Sequence, residues 1–206
     1  MTGREALTGR AEEVAPLLLG AVLSHTDDSG TVAVRLTEVE AYAGVGEDPG
    51  SHAHRGRTPR TEVMFGPAGH LYAYFTYGMH VCVNVVTGPE GIASAVLLRG
   101  GEIVLGESLA RERRGSAVPL RDLARGPARL ASALGIPLTD TGADLFEPPY
   151  ALELPATSQP FETSARTGVA GPGGLLEYPW RFYLPGEPTV SPYRAHAPKR
   201  TPRAPS

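Results

Sequence analysis

The stretch Thr31-Val-Ala-Val-Arg-Leu-Thr-Glu-Val-Glu-Ala-Tyr42 decides the fold class. It alternates apolar and polar residues with the period of two that a strand imposes, and its valines and threonines favour extended backbone. Asp27-Asp-Ser-Gly30 supplies the turn before it. On a regular strand Val32, Val34, Leu36, Glu38, Glu40 and Tyr42 share one face. The first half of that face reads as core, so the second half carries two carboxylates and a phenol where the core should continue. Such a local conflict marks a functional or strained position.

Outward from this strand, residues 4 to 20 carry a helical pattern through Leu7, Val14, Leu17 and Leu18. Ala43 to Thr61 is a loop rich in Gly, Pro, His and Arg, too polar for core. Leu71 to Thr76 and His80 to Val86 read as strands joined at Tyr77-Gly78-Met79, and Ala93 to Arg99 as a third. Glu102 to Arg114 reads as a helix, and another runs from Gly126-Pro127 to Leu134, with Pro in its first turn. Ala151 to Pro155, Thr163 to Val169 and Trp180 to Leu184 read as short strands between Pro/Gly turns. The pattern gives a single α+β domain over residues 4–190: a mainly antiparallel, curved sheet with helices around it and a protruding β-hairpin. Residues 191–206 are basic, rich in proline and without a core-forming run, and are expected to be a disordered tail.

A chain of 206 residues can bury a substantial core in one domain. Its apolar runs are short, with Ala15 to Val22 interrupted by Pro16 and Gly20, so neither a secretory leader nor a membrane span is expected and the protein is read as intracellular. The single cysteine, Cys82, excludes an intrachain disulfide and a cysteine-based zinc site, and its apolar neighbours mark it as a buried thiol. His52 and His54 have no third ligand nearby, so neither a metal nor a cofactor is expected. The net charge of −3 gives no hint of a polyanionic partner, but the charge is unevenly placed. Arg55, Arg57 and Arg60 lie in a segment without acids, and the tail carries Arg194, Lys199, Arg200 and Arg203, again without acids.

Two groups of residues could carry chemistry. Glu40, on a half-buried strand face, has the raised cost of ionisation that suits a general base. The same placement fits Glu38 or Glu40 pairing with an arginine as a structural ion pair. Tyr42, Tyr72, Tyr74 and Tyr77 lie on or beside two strands, with His52 in the intervening loop. They could sandwich a flat base, best an electron-poor or cationic one, or they could be ordinary strand aromatics.

The ordered blocks Thr37-Glu-Val-Glu-Ala-Tyr42, His52-Ala-His-Arg-Gly-Arg-Thr-Pro-Arg60, Met64-Phe65, Leu71-Tyr-Ala-Tyr-Phe-Thr-Tyr-Gly-Met-His80, Cys82-Val-Asn84 and Val96-Leu-Leu-Arg99 resemble the alkyladenine (3-methyladenine) DNA glycosylase family. Arg125-Gly-Pro-Ala-Arg-Leu130, Arg166-Thr-Gly-Val169 and Arg181-Phe-Tyr183 fit as well, so the resemblance spans about residues 10 to 190. It implies a monomeric DNA-repair enzyme that flips a damaged purine from double-stranded DNA and hydrolyses its glycosidic bond. It implies Glu40 as the base that activates water, with Arg99 and the main-chain carbonyl of Thr167 helping to hold that water. Tyr42, His52 and Tyr74 become pocket walls, and Asn84 the residue that crowds the exocyclic amine of normal guanine. Tyr77 becomes the wedge that fills the vacated stack, flanked by Met79 and His80. Two positions depart from the family's better-known members: His80 stands where they have tyrosine, and Thr167 where they have valine.

Alkylation at N3 or N7 makes the base cationic and a better leaving group, so the enzyme needs to extrude the base, position water and tolerate an oxocarbenium-like transition state. Of nineteen basic residues, Lys199 alone is a lysine, and it lies in the tail. A Schiff base with strand cleavage is therefore not expected. The competing readings are a non-catalytic binder of distorted DNA, which has no use for Glu40, and a nucleoside hydrolase, which has no use for a wedge.

Overall fold

A computed structural model describes residues 3–76 and 78–197. Eight strands form one antiparallel sheet: β1 (Val22–Asp27), β2 (Gly30–Tyr42), β3 (Leu71–Thr76), β4 (His80–Val86), β5 (Ala95–Leu105), β6 (Tyr150–Glu153), β7 (Glu162–Ser164) and β8 (Arg181–Tyr183). The order is β3-β4-β5-β2-β1-β6; β8 pairs with the far half of β2, and β7 with β8. Helices α1 (Ala11–Val14), α2 (Glu107–Arg114) and α3 (Pro127–Leu134) complete the α+β domain. None of the described helices is long and apolar enough to cross a membrane.

Three expected elements differ. Residues 4 to 20 do not form one helix: 3-10 turns at Gly3–Leu7 and Ala15–Leu18 flank the single turn of α1, with Pro16 in the second. Strand β1 escaped the sequence pattern; it forms because the turn at residues 27–30 folds it back on β2. β5 runs to Leu105, through the start of the expected helix, because Glu102 pairs across to Arg35 and Ile103 faces the core. Gly106 then turns the chain at φ +77°, where a Cβ would strike the carbonyl of Thr31.

The conflict on β2 is resolved by two offset bulges. Leu36 pairs with Gly101 and Glu38 with Gly100, so Thr37 is an extra residue; Val39 then pairs with Leu98, so Arg99 is the extra residue on β5. Each insertion reverses the strand's alternation. Val32, Val34 and Leu36 face the main core, and beyond the bulge Val39 and Ala41 take their place. Glu38, Glu40 and Tyr42 therefore do not share a face with Val32, as the alternation suggested. β5 turns over in the same way, with Val96, Leu98 and Ile103 in the core.

Core packing occupies one face of the sheet, in a single buried cluster that includes Leu7, Val14 and Leu18 as well as Leu130, Ala131 and Leu134 of α3. The segment 43–66 covers part of the other face, and a second cluster forms there from Ala53, Met64, Phe65, Tyr72, Val86, Ala93 and Ala95. The loop read as too polar for core buries Asp48 completely, with Ser51 and Thr61 nearly so, because a buried arginine and local hydrogen bonds satisfy them.

The bulges require glycine at Gly101, where a Cβ would overlap the Val34 side chain and stand 2.5 Å from the carbonyl oxygen of Arg35. Gly101→Ala should destabilise the fold by about 1–3 kcal/mol, the range for overpacking a tight interior. Thermal and urea unfolding measure this; an unchanged midpoint would show that the close approach is not a constraint.

Candidate active site

The face opposite the core carries a row of polar and aromatic side chains in register. Tyr72 pairs with Asn84, Tyr74 with Cys82, Asn84 with Leu97 and Leu97 with Glu40. They surround a cavity of about 660 Å³ that Tyr42, His52, Tyr74, His80, Asn84, Arg99 and Thr167 all help to line. Ligand pockets for small organic groups span roughly 300–1,000 Å³, so a purine nucleoside fits. Tyr72, Cys82, Arg129 and Arg194 line it too. Met79 is exposed beside Gly78 at the hairpin tip, and it is not part of the cavity wall. Tyr77 lies outside the described residues.

Glu40 is fully buried directly behind this wall. Thr167 donates its backbone N–H to Oε1 at 2.7 Å, and the Tyr42 hydroxyl donates to Oε2 at 2.9 Å. Arg99 Nη1 reaches Oε2 at 3.4 Å. Thr167 thus grips Glu40 through its N–H, a contact the sequence did not signal. Tyr42 keeps its proton, because burial and then the Glu40 charge push its pKa well above the usual value.

Glu38 does form the buried ion pair that was one reading of its position. Its Oε1 accepts from Arg99 Nε at 3.0 Å, Arg181 Nε at 2.7 Å and the Ser191 hydroxyl at 2.9 Å. Its Oε2 accepts from the Ser191 backbone N–H at 2.7 Å. Burial alone would raise the Glu38 pKa, but the charges of Arg99 and Arg181 hold it below the usual range. Burial works against the Arg99 charge as well, and Glu40 and Glu38 outweigh it. Glu38, Glu40, Arg99 and Arg181 form an electroneutral set.

A second buried pair braces the other side. Arg166 meets Asp48 through two hydrogen bonds of 2.6 Å, with both side chains inaccessible to solvent. It also donates to the carbonyls of Ala41 and Gly173, and its guanidinium lies 4.5 Å from the Tyr42 ring centre. The following residue is Thr167, so one arginine positions both the stacking wall and the N–H that grips Glu40. Asp48 was missed because an acid beside Glu47 in a Gly/Pro-rich loop reads as surface.

On the hairpin side, the His52 ring stands edge-on to Tyr74 with centres 4.7 Å apart. Its Nε2 lies 3.2 Å from Arg60 Nη2, and its Nδ1 lies 3.1 Å from the Tyr72 hydroxyl. A guanidinium can only donate, so Nε2 is the acceptor and Nδ1 carries the proton. Asn84 donates to the carbonyl of Tyr72 at 2.9 Å, which fixes its amide at the cavity floor. Cys82 is buried as expected, on the cavity face, and burial raises its thiol pKa.

An aromatic-walled cavity on one sheet face, with a buried carboxylate behind it and arginines at its rim, is built for a flat group attached to an anion. A family model described as methylpurine-DNA glycosylase matches residues 5–188. The chain is 60% identical over 198 residues to a protein of Leifsonia xyli named "Putative 3-methyladenine DNA glycosylase", covering 94% of this chain and 93% of that one. Proteins of Streptomyces avermitilis and Nocardia farcinica with the same name are 54% and 53% identical, covering 96% and 91% of this chain and 93% and 87% of their own length. The chain belongs to the methylpurine-DNA glycosylase family.

His52 is held neutral: burial first, and the Arg60 charge second, lower its pKa to about 4. Arg60→Met should raise that midpoint while leaving it below the ordinary histidine value, since burial remains. NMR titration of the His52 ring protons reads this directly, and a midpoint unmoved by the substitution would remove Arg60 from the contact.

Proposed function

We propose that the protein excises alkylated and deaminated purines (3-methyladenine, 7-methylguanine and hypoxanthine types) from double-stranded DNA by hydrolysing the N-glycosidic bond. The observation that carries this reading is the position of Glu40, a buried carboxylate immediately behind three residues of an aromatic cavity, Tyr42, Arg99 and Thr167. A protein that only bound distorted DNA would gain nothing from a carboxylate there.

The extruded base enters between Tyr42 and the His52–Tyr74 wall, and Asn84 at the floor crowds the exocyclic amine of normal guanine. A carboxylate offers about four lone-pair sites. Oε2 accepts two hydrogen bonds and Oε1 one, which leaves a site on Oε1 for water. Glu40 takes a proton from that water as the water oxygen attacks the anomeric carbon, and the glycosidic bond breaks with its electron pair going to the base, so that a cationic alkylated purine leaves neutral. The carboxylate also offsets positive charge growing on the sugar. Arg99 and the main-chain carbonyl of Thr167 steady the water. Glu40 is sealed from solvent, so the incoming nucleotide has to shift Tyr42 or Arg99 by the width of a water. Tyr77, with Met79 and His80, enters the duplex and fills the vacated stack. No amine serves as a nucleophile, so the product is an abasic site on an intact strand, released by a monomer.

Glu40→Gln should keep binding to damaged duplex but slow base release at least about a hundredfold, the usual scale for a lost general base. Near-normal single-turnover excision by this variant would exclude Glu40 from the chemistry. Borohydride should trap no protein–DNA adduct; a covalent adduct would overturn the hydrolytic route. Alkylated nucleoside should yield no free base, whereas a nucleoside hydrolase would release it.

Tyr77→Ala should weaken binding to a paired lesion by roughly 1–3 kcal/mol, the range for aromatic–base stacking. The loss should shrink when the lesion sits in a mismatch, where less stacking is given up. Tyr74→Ala should lose the same in both contexts, because a pocket wall reads the base after extrusion. Equal losses for Tyr77→Ala on paired and mismatched DNA would mean that it is not the wedge.

A further inference from the structure

The segment read from the sequence as a tail begins inside the site. Val190, just past the span matched by the family model, takes the Arg125 Nε donor on its carbonyl at 2.8 Å. The Thr189 hydroxyl meets that of Thr37 at 2.8 Å. Ser191 then gives both its N–H and its hydroxyl to Glu38, accepts from Arg99 Nη2 at 3.2 Å on the hydroxyl, and accepts from Arg181 Nη2 at 2.7 Å on the carbonyl. Three residues later the Arg194 carbonyl accepts the Gly168 N–H at 2.8 Å. Gly168 directly follows Thr167, whose N–H holds Glu40. A stretch without helix or strand is thus tied to the sheet at one end and to the Glu40-gripping loop at the other. Arg194 is held against the cavity.

The charges around the cavity differ in what they are committed to. Arg99 is committed to Glu38 and Glu40. Arg194 is exposed, and no acid of the described residues pairs with it; the same holds for Arg129, in the first turn of α3. An aromatic interior with arginines at the lip matches a base that carries its charge at the far end of a sugar.

We propose that the segment Ser191–Arg194 borders the active site and that Arg194 is a further substrate-binding residue, contacting a phosphate that flanks the extruded nucleotide. The inference rests on the glycosylase reading. A guanidinium binds a phosphate oxygen pair through two parallel N–H donors. The backbone tie at Gly168 makes this contact report on the loop that holds Glu40.

The test uses the full chain and a fluorescent duplex with a single lesion, with affinity measured across salt concentrations. Each neutralised phosphate contributes about 0.9 to the slope of log K against log salt. Arg194→Gln should lower the slope by about that amount and weaken binding severalfold at moderate salt, while Arg194→Lys restores the slope. Because Arg194 is exposed, the variants should melt with the parent protein. An unchanged slope and affinity for Arg194→Gln would overturn the proposal, as would a loss equal at all salt concentrations, which would mark a packing defect. Base release by the parent protein is followed in parallel. If it releases no base, the glycosylase reading fails, while the slope still decides whether Arg194 meets a phosphate.

Discussion

A carboxylate with no solvent-accessible surface sits at the junction of the two central strands, and much of the molecule is arranged around that fact. Glu38 accepts four hydrogen bonds from three residues that lie far from it in the chain: Arg99 on β5, Arg181 on β8 and Ser191 beyond the last strand. An unpaired charge at that depth would be prohibitive, and removing one partner of such a pair costs about 3–5 kcal/mol. The offset bulges deliver the geometry, since the extra residue on β5 is Arg99 and the one on β2 is the neighbour of Glu38. Gly100 completes the fit, because a Cβ there would stand 2.8 Å from the Thr189 carbonyl oxygen.

The second buried pair extends the same logic to the loops. Arg166 and Asp48 join segments 118 residues apart, and the irregular backbone of both segments is held by that bond together with the carbonyls of Ala41 and Gly173. Gly50 and Gly173 lie so close to the Arg166 guanidinium that a Cβ on either would stand 2.6 Å and 3.0 Å from Nη2. Glu40 belongs to the first ionic set through Arg99 and is tied to the second through the Thr167 N–H, next to Arg166. Under the glycosylase reading, these donors hold the Glu40 carboxylate in place before the substrate arrives.

The α+β class, the hairpin and the position of α3 were legible because period, turn residues and an N-terminal proline speak locally. The first helix misled, since Pro16, Gly9 and Gly20 weigh more against a continuous helix than four apolar residues weigh for it. The bulges were invisible: a one-residue insertion leaves no mark on composition, and Thr37 and Arg99 become extra residues only through the register between β2 and β5, strands that lie far apart in the chain. The aromatic lining was legible from Tyr42, Tyr74 and His52, and the acid behind it from Glu40, together with the family's blocks. Its support was not, because Asp48, Arg181 and Ser191 take their roles from partners more than a hundred residues away.

Under the glycosylase reading, the arrangement of charge accounts for how a chain of net charge −3 suits an anionic polymer and a cationic base together. The cavity interior adds little net positive charge, since Arg99 is offset by two carboxylates and His52 is neutral. Tyrosine faces attract a cation, whereas an imidazolium at His52 would repel one. The positive groups stand outside, with Arg60 across the lip of the Tyr74 ring and Arg129 and Arg194 on the rim. Under the glycosylase reading, the phosphates meet the cations before the base enters, and the base then moves into a space selected for aromatic faces and not for anions. Arginine suits both duties better than lysine: its charge persists when buried, and its planar fork can span a carboxylate, a phosphate or a ring. A lysine in the place of Arg99 could donate to Glu38 or to Glu40, but it lacks the rigid fork that bridges both, and the two acids would no longer be held as one unit.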